Sequence, residues 1–219
     1  MKIISFGDIH EDISKLAHMK QTIENADLVI ISGDITNCHG KSHSEPVVKA
    51  VKKFKDKVYA QYGNMDMQEV NNYLTDIGIN LHGRGYVIEN VGIFGCGASN
   101  PTPFHTPSEI SEDEITANLL KGFNMIKDAQ WKIMVCHTPP KNTNIDTISN
   151  GMHVGSTAAR EFIEKHKPHI CISGHIHEAK GKDTIGDTVV LNAGMFRDGG
   201  YIEIDCNGNT FSANVKSIA

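Results

Sequence analysis

Apolar residues in this chain fall into short unbroken runs, several of them stopped by glycine followed by an acid or an amide. Residues 2–6 (Lys-Ile-Ile-Ser-Phe) end at Gly7-Asp8, residues 28–32 (Leu-Val-Ile-Ile-Ser) at Gly33-Asp34, and residues 57–61 at Tyr62-Gly63-Asn64. Runs of this length read as strands buried on both faces. Between them the spacing turns helical. Ile13, Leu16, Ala17 and Lys20 predict a helix over 12–24 with Asp12 as N-cap. Pro46 predicts the first turn of a helix running to about Phe54, and a third helix is predicted over 66–77. Strand, helix, strand, helix, strand, helix implies a parallel sheet with right-handed crossovers. Ligands in such sheets gather at the carboxyl ends of the strands.

The middle of the chain reads differently. Residues 86–89 and 91–95 predict a hairpin around Asn90. A proline-broken loop follows over 97–107, and Ser111 with Glu114 forms a capping box for a helix running to about Asp128. Residues 131–136 predict a strand ending at His137-Thr138-Pro139-Pro140. The polar loop after it is long enough to suspect a function, and Ser156 predicts the cap of a helix reaching about Lys167. Residues 169–172 predict another strand, ended by Ser173-Gly174-His175-Ile176-His177. Beyond it, residues 181–186, 188–192, 200–205 and 210–216 predict short antiparallel strands. No linker or repeat divides the sequence, so residues 1–219 read as one domain.

Composition narrows the function classes. At 219 residues with 39% hydrophobic and 21% charged residues, the chain reads as an ordinary globular protein. Its formal charge of -5 disfavours a broad nucleic-acid surface. No apolar stretch approaches the roughly 20 residues of a membrane span. The five cysteines form no CxxC pair and three lie in apolar runs, which points to buried free thiols and a cytoplasmic setting.

Histidine carries the chemistry. Collected at predicted strand ends are Asp8, His10, Asp34, Asn64, His137, His175 and His177. Four imidazoles, two carboxylates and an amide oxygen suit two divalent ions of the Mn, Fe, Zn, Co or Ni type. A carboxylate central to the set, Asp34, is placed to bridge them. Of the remaining histidines, His105 and His153 lie in long loops that could reach the site, and the plainer reading of both is surface. His39 and His43 read as surface residues, and His18, His82, His166 and His169 as structural. Asn192, ending an apolar strand, is a candidate to orient a ligand.

The pattern Asp8-x-His10, Gly33-Asp34, Gly63-Asn64-x-Asp66, His137, Gly174-His175-x-His177 resembles the calcineurin-like metallophosphoesterase superfamily. Residues 99–104 and 137–140 further resemble its small single-domain prokaryotic branch. The resemblance implies an α/β fold of two mixed β-sheets packed face to face and flanked by helices. It implies that Asp8, His10 and His177 hold one ion, that Asn64, His137 and His175 hold the other, and that Asp34 bridges, with manganese the favoured metal. Asp34, Asn64 and His137 would then be catalytic. The implied reaction is two-metal hydrolysis of a phosphate ester by a metal-bound hydroxide. The small phosphorylated substrate is read as a diester, because no basic cluster lies near the motifs. Substrate contacts fall to His105, His153 and Asn192. The family usually carries histidine after Gly-Asn, whereas this chain has Met65, which donates no proton. A general acid is typically worth about 10²–10⁴-fold, so the alternative is a low-activity or non-catalytic metal-binding scaffold on the same fold. No nucleic-acid or membrane partner is expected, and a homo-oligomer is compatible with the sequence.

Overall fold

In a computed structural model that describes residues 1–207 and 210–218, the unbroken apolar runs become strands covered on both faces. In the first sheet, β1 (Lys2–Phe6), β2 (Leu28–Ile31) and β3 (Val58–Ala60) pair in parallel. On the far side of β1 lie β10 (Gly200–Asn207) and then β11 (Thr210–Ser217), both antiparallel to their neighbours. In the second sheet, β4 (Gly85–Ile88) pairs antiparallel with β5 (Val91–Cys96). Parallel to β5 run β6 (Trp131–Cys136), β7 (Ile170–Ser173) and β9 (Thr188–Asn192), and β8 (Gly181–Ile185) closes the edge antiparallel to β9.

Side-chain alternation explains the layers. Ile3, Leu28 and Ile30 face inward and meet Ile93, Ile133, Val135 and Ile172 of the other sheet. Ile4, Val29 and Ile31 point outward under α1 (Lys20–Glu24), α2 (Lys41–Lys52) and α3 (Gln68–Asp76). Phe94, Met134 and Cys171 likewise point outward under α4 (Glu112–Ile126) and α5 (Thr157–His166). A strand buried on both faces needs an apolar residue at every position, which is why no alternation showed in the sequence.

The helix expected over 12–24 forms only from Lys20. His10 and Glu11 adopt left-handed backbone, and residues 14–19 make turns. Asp12 accepts the amide of Ser14 and caps no helix. Helix α2 starts five residues before Pro46, at Lys41. The carbonyl that proline leaves without a helical partner, that of Ser42, belongs to an exposed residue near the helix start, where water can serve it. The C-terminal strands do not form one antiparallel unit. β8 and β9 complete the second sheet, with β9 parallel to β7, while β10 and β11 extend the first. Only long-range pairing distinguishes these two placements.

The long loop after β6 is accounted for by its own packing. Buried Asp146 accepts the amides of Asn142, Thr143 and Gly155 at 2.8–3.1 Å and faces His153 Nδ1 at 2.6 Å.

Candidate metal centre

The loops after β1, β2, β3, β6 and β7 bring Asp8, His10, Asp34, Asn64, His137, His175 and His177 together at one end of the sandwich. Asp8, Asp34, Asn64 and His137 are buried, and His10, His175 and His177 are half-buried. Glycine before a functional residue reflects lack of space. A Cβ on Gly33 would strike the His137 ring, one on Gly63 would strike Asp34, and one on Gly174 would strike the Asp8 carboxylate. Asp8, His10, Asp34 and His175 all hold positive φ, between 48° and 69°. Asp, Asn and His tolerate this region best among non-glycine residues, and clustered strain of this kind marks functional sites.

Asp8, His10, Asp34 and His177 offer ligand atoms that all lie within 4.8 Å of one another. His10 Nε2 stands 3.2 Å from His177 Nε2, and His177 Nε2 stands 3.3 Å from Asp8 Oδ1. A second group forms around Asn64 Oδ1, which lies 3.1 Å from His137 Nε2 and 2.7 Å from His175 Nδ1. Neighbouring ligands around an ion at about 2.1 Å would sit about 3.0–3.4 Å apart, so most of these separations fit shared coordination. Asp34 joins the groups. Its Oδ1 accepts the Met65 amide at 2.8 Å, leaving Oδ2 at 3.3 Å from His137 Nε2 and 3.8 Å from His10 Nε2. One carboxylate oxygen thus faces both sets of donors.

The surrounding bonds orient these donors. His137 Nδ1 donates to the Ser32 carbonyl at 3.0 Å, a bond that leaves Nε2 with its lone pair directed into the site. Burial lowers the basicity of His137, but the Asp34 charge outweighs it and raises the pKa to about 9. Burial likewise opposes ionisation of Asp34, yet His137 and His10 hold it below the usual carboxylate range. His175 falls to about 4, mainly through burial and then through His137. A divalent cation would take the place of the His137 proton beside ionised Asp34 and neutral His175, and the donor set fits one.

Asn192 is fully buried. Its amide donates to the Ile176 carbonyl at 2.8 Å and accepts the Gly194 N–H, so it braces the backbone that carries His175 and His177. His153 is engaged with Asp146 and Thr147, and His105 is exposed on a left-handed turn. Neither side chain joins the donor cluster. Asp66 appears in the sequence pattern without an assigned role. Fully buried, it accepts the amides of Gly63, Ile35 and Thr36 and the Thr36 hydroxyl at 2.7–3.0 Å, tying the loop of Asp34 to the loop of Asn64.

A cavity of about 300 Å³ opens on the cluster, lined by His10, Asp12, Asn37, Met65, His177, Met195 and Arg197. Met195 and Arg197 were not legible as site residues. They flank Phe196, in a short 3₁₀ turn over Phe196–Asp198, which stacks on Phe6 at 4.6 Å and donates its amide to the Asp8 carbonyl. Nothing in the local sequence announces that contact. A depression of about 430 Å³ lined by Val87, Glu89, Met125 and Gln130 holds none of these donors.

Residues 1–179 match the family described as calcineurin-like phosphoesterase. The chain belongs to that family. It is 35% identical over 198 residues to the uncharacterized protein MJ1162 of Methanocaldococcus jannaschii, covering 88% of this chain and 87% of that one. Among solved structures it is similar to TT1561 of Thermus thermophilus, with a TM-score of 0.75, 16% identity and coverage of 100% and 99% of the two chains. It is also similar to a dimetal phosphatase from Danio rerio, with a TM-score of 0.65, 11% identity and coverage of 100% and 96%. At these identities the structural likeness speaks for the fold, two mixed sheets with helices outside.

Proposed function

We propose that this calcineurin-like phosphoesterase hydrolyses a small phosphate ester with two divalent ions, Asp34 bridging them. The observation that carries the reading is the single Asp34 oxygen facing both donor groups. Asp8, His10 and His177 would hold one ion, and Asn64, His137 and His175 the other. Bound there, the ions would supply Lewis acidity and lower the pKa of a water to near neutrality. The chain's own part is placement. The Met65 amide fixes Asp34, the Ser32 carbonyl fixes His137, and Asp66 and Asn192 brace the backbones that carry the donors.

Met65 lines the mouth with no proton to give, so good leaving groups are favoured. Among the described residues Arg197 is the one lysine or arginine on the cavity wall, opposed by Asp12, and this supports a diester over the more highly charged monoester. The same Met65 favours the second reading, a metal-binding scaffold without turnover. Metal-stripped protein titrated with Mn²⁺ decides between them on a chromogenic phosphodiester. The hydrolase reading expects a rate that rises and saturates, and an Asp34→Asn variant that loses both ions and most activity. A flat line with metal demonstrably bound would favour the scaffold.

A further inference from the structure

A second set of metal-type donors lies outside this centre, on the neighbouring rim. Glu11 follows His10 in sequence but turns its carboxylate the other way, toward the start of α2. His39 Nδ1 stands 2.5 Å from Glu11 Oε1, and His43 Nδ1 stands 3.2 Å from Oε2. The two rings are stacked, 3.9 Å between centroids and 21° between planes. One ligand atom from each of the three residues lies within 4.8 Å of the others, and none of the three belongs to the first cluster.

The framework behind these side chains is built. His39 precedes the α2 N-cap Gly40, outside the helix, and His43 lies in the first helical turn. The Cys38 amide donates to the Met65 carbonyl, the Met67 amide to the His39 carbonyl, and the Glu11 amide to the Ile35 carbonyl. Glu11 holds a φ of 66°, a conformation that disfavours glutamate. The Asn37 amide bonds Glu11 Oε1 at 3.1 Å, while the Asn37 side chain bonds the His10 carbonyl at 2.9 Å. The two donor sets are therefore held in fixed relation.

We propose that Glu11, His39 and His43 form a separate mononuclear site for a divalent cation of the zinc, cobalt or nickel type. Two imidazoles and one carboxylate are a three-ligand set that leaves a coordination position open. The rings are about half exposed and the carboxylate less so, which leaves the site open to solvent. With one carboxylate beside two imidazoles, the set has fewer oxygen ligands than either ion of the binuclear centre would have, which disfavours the oxygen-preferring Mg²⁺ and Mn²⁺ here. An ion here would add positive charge one residue from the cavity lined by His10 and Asn37, in a chain of net charge -5.

Metal stoichiometry tests the site without reference to turnover. Stripped full-length protein is equilibrated with Zn²⁺ or with Mn²⁺, freed of loose ions, and its metal counted by mass spectrometry. Three zinc ions but two manganese ions per chain are expected. A His39→Ala/His43→Ala variant and, separately, Glu11→Gln should each bind one zinc ion fewer than wild type. Asp34→Asn should lose ions of the binuclear centre and keep the one at Glu11, so failure of that centre and failure of this site give different counts. Equal zinc counts in wild type and the double variant, with equal melting temperatures in chelator, would overturn the proposal. So would a third manganese ion bound as firmly as the third zinc.

Discussion

His82 is a titratable group held neutral by its surroundings. Its Nδ1 accepts the Gly97 amide at 3.1 Å, and its ring lies edge-on to Tyr62 at 5.1 Å. Burial, helped by the Lys121 charge, brings its pKa down to about 4. In the unfolded chain the imidazole takes a proton near pH 6.5. Between pH 6.5 and 4 the unfolded state therefore binds more protons, and stability falls as the pH drops through that window. The loss assignable to His82 is on the order of 2 kcal/mol. Urea unfolding at pH 7 and pH 4.5 should show a smaller acid loss in His82→Gln than in wild type. Parallel losses would show that His82 is not the group responsible. The sequence marked this histidine as structural from its place outside the motifs, but its Gly97 partner is set by the hairpin that follows.

Helices α4 and α5 show how capping crosses between elements. Ser111 and Glu114 close the capping box that their spacing predicted. Glu112, beside them, reaches instead to the start of α5. Its carboxylate accepts the Ser156 hydroxyl and the amides of Thr157 at 3.1 Å and Ala158 at 2.9 Å, while Ser156 Oγ accepts the Ala159 amide at 3.0 Å. These are amides the helix cannot satisfy itself, and the carboxylate also meets the positive end of the α5 dipole. Glu112→Ala should cost about 1–2 kcal/mol in urea unfolding, and Asp113→Ala, an exposed neighbour, under about 0.5 kcal/mol. Similar losses in both variants would remove the bridging role. The local box was legible because its partners are three residues apart. The bridge was not, because 44 residues separate Glu112 from Ser156.

Across the molecule the four-layer packing decides which thiols can react. Cys96, Cys136, Cys171 and Cys206 are buried and Cys38 is exposed. Burial pushes the Cys171 thiol up to about 12 and raises Cys96 and Cys136 as well, so thiolate is scarce at these positions. An aromatic disulfide reagent should titrate one thiol in native protein and five after denaturation, with Cys38→Ser removing the native reaction. Rapid native reaction of a second thiol would mean that a helix layer opens readily. Among the described residues no helix is long and apolar enough to cross a membrane.

What the sequence determined by itself was local or repeated. Unbroken apolar runs named the central strands, glycine before Asp8, Asp34, Asn64 and His175 named the strand-end loops, and donor types at those ends named the chemistry. Those signals survive because each rests on neighbouring residues or on a backbone that leaves no room for a Cβ. The tertiary structure alone decided the rest. It sent β8 and β9 to one sheet and β10 and β11 to the other, and it put turns over 14–19 where helix was expected. It brought Met195 and Arg197 to the mouth by stacking Phe196 on Phe6, and it folded His39 and His43 onto Glu11. Each of those outcomes depends on contacts between residues far apart in the chain, and pairing energy at that distance leaves no periodic trace in a single sequence.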